Sequence, residues 1–112
     1  MSWKLRISQD AERDIEQVLT TTYDKFGEHK YAEYRGLVAL TLQELGSDPT
    51  NARTKTRPEI HPQARTVHLA RKGKAARHFI LYRIVDESIV EIGRLLYDGM
   101  DLAQHLPEQY AQ

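Results

Sequence analysis

Two runs rich in aliphatic and β-branched residues, His78–Val85 and Ile89–Tyr97, dominate the hydropathy pattern of the chain. The polar triplet Asp86-Glu87-Ser88 separates them, the signature of a β-hairpin. Both runs are more apolar than a half-exposed strand needs, which places the hairpin at the centre of a sheet. Far upstream, Trp3–Ile7 sets Trp3, Leu5 and Ile7 against Lys4 and Arg6, a short strand with one buried side. Ser8 follows as an N-cap, with Asp10 and Glu12 in the first turn where acids suit the helix dipole. Ala11, Ile15, Val18, Leu19, Thr22 and Phe26 then recur at helical spacing and predict an amphipathic helix that Gly27 stops. Tyr31, Tyr34, Val38, Leu42 and Leu45 predict a second helix from Glu28 to Leu45, ended by Gly46 and Asp48-Pro49. With so little chain between them, the helices should form an antiparallel hairpin.

Residues 47–63 are polar, hold three of the four prolines and show no periodicity, so they read as a loop. Ala64–Ala70 alternates again and predicts a strand, and Arg71-Lys72-Gly73-Lys74 a basic turn into the hairpin. Beyond the hairpin, Asp98–Gln104 reads as one short helical turn closed by Leu106-Pro107, and Glu108–Gln112 as a frayed tail. The order is β-αα-βββ. The first strand reaches the sheet in parallel by a crossover through the helices, which then cover one face. Ile80, Tyr82 and Ile84 should face the helices. Phe79, Leu81 and Arg83 should point to the opposite, uncovered face, where an exposed apolar patch marks a binding surface.

At 112 residues the chain is expected to form one domain, 1–112. It has no cysteine, which excludes disulfides and thiolate metal sites and suits a reducing cytoplasm. No segment approaches a membrane span and the start lacks the apolar run of a signal peptide, so no membrane partner is expected. Net charge is zero but unevenly spread. Residues 1–50 carry six Lys/Arg against nine Asp/Glu, residues 51–83 nine against Glu59 alone, and residues 84–112 Arg94 against six acids. The basic middle fits either an acidic partner or a strand edge guarded by Lys and Arg.

Candidate chemistry is sparse. The five histidines, His29, His61, His68, His78 and His105, form no compact ligand motif, and no phosphate loop or nucleophile elbow is present. Arg65, Arg71, Lys72, Lys74, Arg77, Arg83 and Arg94 could clamp a phosphate, with His78, Tyr82, Tyr97 or His105 moving protons. The simpler reading pairs Arg83 and Arg94 with acids across strands and puts Tyr82 in the core. Tyr31 and Tyr34 could stack on bases, but their helical spacing favours a place at the edge of the core.

The run RHFILYRIVD…IVEIGRLLYDGMDLAQHLP resembles the C-terminal half of the ParE toxins, the plasmid-stabilisation branch of the RelE/ParE superfamily. ISQDAERDIEQV and FGEHKYAEYRGLV resemble that family's helical hairpin, and the ending RLLYDGMDLAQHLP is the most specific part. The resemblance implies an α+β, RelE/ParE-like β-αα-βββ fold with an antiparallel-rich sheet. It further implies the toxin of a type II toxin–antitoxin system, a non-enzymatic DNA gyrase inhibitor without cofactor, neutralised by a small acidic antitoxin. The alternative on the same fold is a RelE-like, ribosome-dependent mRNA endoribonuclease. Aligned on the hairpin, its functional positions fall near Phe79, Gly99 and His105, of which His105 alone could transfer protons. The expected catalytic set is therefore none, with His105 the alternative. Expected exposure and position assign Arg65, Arg77, Phe79, Leu81 and Arg83 to the antitoxin contact. Tyr97, Asp98, Met100, Asp101 and His105 are assigned to the target contact.

Overall fold

A computed structural model of the protein describes residues 2–101, 105–107 and 110. The order is β1 (Lys4–Ile7), α1 (Gln9–Ser47), β2 (Thr54–Thr56), β3 (Arg65–His68), β4 (His78–Asp86) and β5 (Ile89–Tyr97). The five strands lie in the order β1-β5-β4-β3-β2, with the hairpin in the middle. β1 runs parallel to β5 from Lys4↔Ile89 to Ile7↔Ile92, as the crossover requires. The remaining pairings are antiparallel.

α1 is one stretch of helix in name only. A straight helix of its 39 residues would run about 58 Å, against a largest molecular extent of 39 Å. Gly27, at φ 87°, breaks it in the left-handed region where a side chain is strained, and the chain folds back there. The return brings the Gly46 carbonyl to the Trp3 amide, 2.7 Å away, so the end of the second arm lies beside the start of β1. Ser8 caps the first arm by accepting from the Ala11 amide at 3.0 Å. Its hydroxyl also donates to the Gly93 carbonyl at 2.8 Å, tying the cap to β5.

The helical arms cover one face of the sheet. Ala11, Val38 and Leu45 pack there against Val67, Leu69, Ile80, Tyr82, Val90, Ile92 and Leu95, with Ile84 at the margin. Ile92 and Leu95 share that face although three residues apart, because a bulge at Gly93 shifts the register between Leu81↔Arg94 and Tyr82↔Ile92. Asp14 of the first arm secures the bulge. Its carboxylate accepts from Arg94 Nε at 2.7 Å, Arg94 Nη2 at 3.0 Å and the Leu95 amide at 3.0 Å.

Three sequence expectations need correction. The segment 47–63 is not wholly loop: Thr54–Thr56 pairs with Arg65–Val67 as a fifth, edge strand. A three-residue strand is too short to carry a readable alternation. Second, the face carrying Phe79 and Leu81 is not bare. Leu81 is fully buried with Ala64 and Tyr110, flanked by Ile60 and Leu106, and Phe79 packs on Leu96 and Ile60. The cover comes from the chain's own 60–64 segment and C-terminal segment, whose isolated apolar residues carry no periodic signal. Third, Tyr110, expected in a frayed tail, is 3% exposed. The rest of that tail and residues 102–104 of the expected helical turn lie outside the described residues.

Gly93 makes the second layer possible. A Cβ there would lie 2.8 Å from Pro107 Cγ and 3.2 Å from the Tyr110 hydroxyl. The bare backbone of β5 is thus the seat of the C-terminal segment. Among the described residues no helix is long and apolar enough to cross a membrane.

Candidate interaction site at the end of the sheet

The ends of β3 and β5 and the start of β4 meet at one rim of the sheet, and the turn after β5 is built over that rim. The Met100 amide donates to the Tyr97 carbonyl at 3.1 Å, closing the turn, and the Asp98 amide donates to the Arg77 carbonyl at 2.9 Å. The Asp98 carboxylate accepts from His68 Nε2 at 3.0 Å and from Arg77 Nε at 3.2 Å. The His68 hydrogen bond, then the Arg77 guanidinium, hold its carboxyl below the usual carboxylate range. Arg77 also donates to the Tyr97 hydroxyl at 3.0 Å, with its guanidinium 5.1 Å from the centre of the Tyr97 ring. The other side of that ring needs Gly99 bare, since a Cβ there would lie 2.6 Å from Tyr97 Cε2. Tyr97 and Met100 are nevertheless each 43% exposed. The result is a turn fixed by polar contacts that presents two large apolar side chains to solvent.

Clefts lie on both sides of this turn. One, about 490 Å³, brings Asp98, Met100 and Asp101 together with Arg53, Lys55 and Arg57 in and beside β2. The other, about 300 Å³, runs between Asp14, Gln17 and Thr21 of the first arm and Tyr97 and Met100. Four of the expected target residues, Tyr97, Asp98, Met100 and Asp101, are therefore gathered here. His105 is drawn away to the bulge, where its carbonyl accepts from Arg94 Nη1 at 3.1 Å.

The histidines at this rim are committed. His68 Nδ1 accepts from the Ala70 amide at 3.0 Å, which leaves its proton on Nε2 facing Asp98. The Tyr34 oxygen accepts from the Arg77 amide at 3.1 Å and shares a hydrogen bond with His78 Nδ1, 2.6 Å away. Burial pushes the His78 imidazole down and the Tyr34 phenol up. His61 Nδ1 likewise accepts, from the Gln63 amide at 3.1 Å. Neither His68 nor His61 keeps a free imine nitrogen to take a proton from a substrate. Tyr82 is fully buried, its hydroxyl donating to the Pro49 carbonyl and accepting from Arg65 Nε, which puts it in the core.

The residues expected at an antitoxin contact do not share one surface. Phe79 and Leu81 are covered, as described. Arg65 pairs with Tyr82 and so projects on the helix-covered side, where it also donates to Thr54 Oγ1 at 2.8 Å. Arg83 is held by Glu91 at 2.9 Å across the hairpin, under the Tyr110 ring. Arg77 alone of the five is exposed. Much of the basic middle is neutralised within the chain: Arg53 and Arg71 converge on Glu44, Arg57 on Glu59 and Arg77 on Asp98. The Arg71 hydrogen bond leads the causes that lower the Glu44 carboxyl. Sequence reasoning missed Tyr34 and His68 as rim residues, because each sits at a position its own periodicity explains as structural.

The α+β fold, a mixed sheet with a helical hairpin on one face, is shared by chains of two solved toxin–antitoxin structures. The chromosomal ParDE toxin–antitoxin system from P. aeruginosa contains a chain that superposes with a TM-score of 0.68 at 17% identity, over 86% of this chain and 96% of that one. A chain of the toxin–antitoxin complex RelBE2 from Mycobacterium tuberculosis superposes with a TM-score of 0.58 at 18% identity, over 87% and 99%. The family described as ParE toxin of type II toxin–antitoxin system, parDE, matches residues 5–102. The chain belongs to that family. It is similar to Toxin ParE1 of Mycobacterium tuberculosis, 26% identical over 106 residues that span 95% of this chain and 100% of the relative.

Proposed function

We propose that this ParE-family toxin inhibits DNA gyrase by binding it, without catalysing a reaction, and that a small acidic antitoxin neutralises it. The observation that carries the reading is the turn Tyr97–Met100. Its polar groups are spent on Arg77 and His68, while Tyr97 and Met100 stand exposed between two clefts. A held aromatic ring and an exposed methionine beside concave surfaces are what a protein partner recognises, and the ring has little ordering entropy left to lose on binding. The committed imidazoles of His61 and His68 support a binding role over proton transfer. The test is gyrase supercoiling and DNA cleavage with purified protein. The expected result is loss of supercoiling with accumulation of cleaved DNA. Untouched gyrase, together with messenger cleavage on ribosomes that His105→Ala abolishes, would replace this reading with the ribonuclease one.

A further inference from the structure

The tip of the helical hairpin carries an apolar groove that shares Tyr34, Arg77 and His78 with the rim of the sheet. It measures about 340 Å³ and is floored by Phe26, Tyr34, Ala75 and Ala76, between the two arms and the turn that leads into β4. Phe26 is 67% exposed beside Gly27, and no described residue covers it. The interior needs no such phenylalanine, since the core cluster lies farther down the arms with Ala11, Val38 and Leu45.

The rim of the groove is cationic. His29 Nε2, Lys30 Nζ and Lys74 Nζ approach Glu33 at 3.9, 3.8 and 3.9 Å, all beyond hydrogen-bond distance. Two lysines thus share one carboxylate, which leaves a net positive charge at neutral pH; Arg77 also lines the groove, with its charge already met by Asp98. An apolar floor inside a positive rim is complementary to an acidic segment that lowers a bulky apolar side chain into the groove.

We propose that this groove is where the antitoxin anchors: an acidic amphipathic segment whose large apolar residue packs on Phe26 and Ala76 while its carboxylates meet Lys30 and Lys74. The inference rests on the toxin–antitoxin reading but not on gyrase being the target. It also moves the antitoxin contact off the face of Phe79 and Leu81, which the chain covers itself.

The experiment measures the affinity of the full-length protein for the small acidic protein encoded in the adjacent reading frame. Phe26→Ala removes an exposed side chain and leaves the fold intact. Ala76→Trp fills the groove, and Lys30→Glu with Lys74→Glu reverses the rim. Each is expected to weaken binding by about tenfold or more. The charge-reversed variant should also lose most of the salt dependence of association. Glu87→Lys, in the exposed hairpin turn, serves as control and should bind like wild type. Unchanged affinity for both Phe26→Ala and the charge-reversed variant would overturn the proposal. Variants that escape the antitoxin yet still arrest growth would support it. If the wild type binds the antitoxin through this groove but leaves gyrase untouched, the target reading fails and this one stands.

Discussion

Substitution of Gly93 by alanine probes the second layer of the sheet most sharply. The added Cβ would lie 2.8 Å from Pro107 Cγ, 3.2 Å from the Tyr110 hydroxyl and 3.3 Å from the Leu81 carbonyl. The Leu81 contact is with a neighbouring strand, so the C-terminal segment must give way. Overpacking of this kind costs about 1–3 kcal/mol. The alternative, releasing the segment, forfeits the burial of Tyr110, worth about 1.5–3 kcal/mol for a large apolar side chain. Part of that loss is returned, because the Tyr110 hydroxyl is buried with no hydrogen-bond partner among the described residues, and rehydrating such a group recovers about 1–3 kcal/mol. Release therefore costs at most about 2 kcal/mol, and because the cheaper route is taken the net destabilisation should be about 1–2 kcal/mol, or a fall in Tm of about 4–8 °C for a chain of this size. Urea unfolding gives the free energy, and hydrogen exchange at Leu81 and Tyr110 shows which route is taken. Tyr110→Phe in the wild-type background should be neutral or stabilising by up to about 1 kcal/mol, since it deletes only the unpaired oxygen. In the Gly93→Ala background it should recover part of the loss. An alanine variant as stable as wild type, or a phenylalanine variant clearly less stable, would refute the packing argument.

Other substitutions test the remaining layers. Asp14→Ala strips Arg94 and the Leu95 amide of their acceptor in a site where the carboxylate is 14% exposed, and should cost about 2–3 kcal/mol in urea unfolding. Because burial lowers the His78 imidazole in the folded state, the unfolded chain binds its proton first. Stability is therefore full above the ordinary histidine value and falls as pH drops through the folded one. An NMR titration should place His78 below the ordinary range, and a value at or above it contradicts the packing of its ring against Tyr34 and Tyr97. Glu44 is lowered as well, first by its hydrogen bond to Arg71, so its contribution is present above the unfolded carboxylate value and lost as pH falls through the folded one. Glu44→Gln should flatten that acid limb in denaturation measured across it, and an unaltered limb would mean that Arg71 and Arg53 are held by other groups.

What could be read in advance followed from periodicity and local signals. The hairpin, the Ser8 cap, the Gly27 break and the parallel placement of β1 each have a local sequence mark, and the structure has all four. Ile80, Tyr82 and Ile84 face the helices because the bulge opposite Leu81 and Tyr82 puts its extra residue on β5, which leaves alternation along β4 unbroken to Ile84. What could not be read was set by partners distant in the chain. Nothing near Leu81 announces that Ile60, Ala64, Leu106 and Tyr110 will cover it. The space that admits them is an absence, the missing side chain of Gly93. The candidate target residues were legible as a contiguous stretch, but the reason they are held in place was not. His68 and Arg77 meet Asp98 only because β3, β4 and β5 are neighbours in the sheet. Arg83 finds Glu91 across the hairpin as cross-strand pairing suggests, whereas Arg94 reaches back to Asp14 on the first arm because of the bulge.

Inhibition of gyrase supercoiling by Tyr97→Ala/Met100→Ala, titrated beside wild type, tests the role of the exposed turn most directly. Both side chains are 43% exposed, so the double variant should stay folded, losing about 1–2 kcal/mol with the Arg77 and His78 contacts of Tyr97, and bind the antitoxin normally. The concentration needed to halve supercoiling should rise about tenfold or more. A folded double variant that inhibits gyrase as well as wild type would contradict the assignment of the turn as the inhibitory surface.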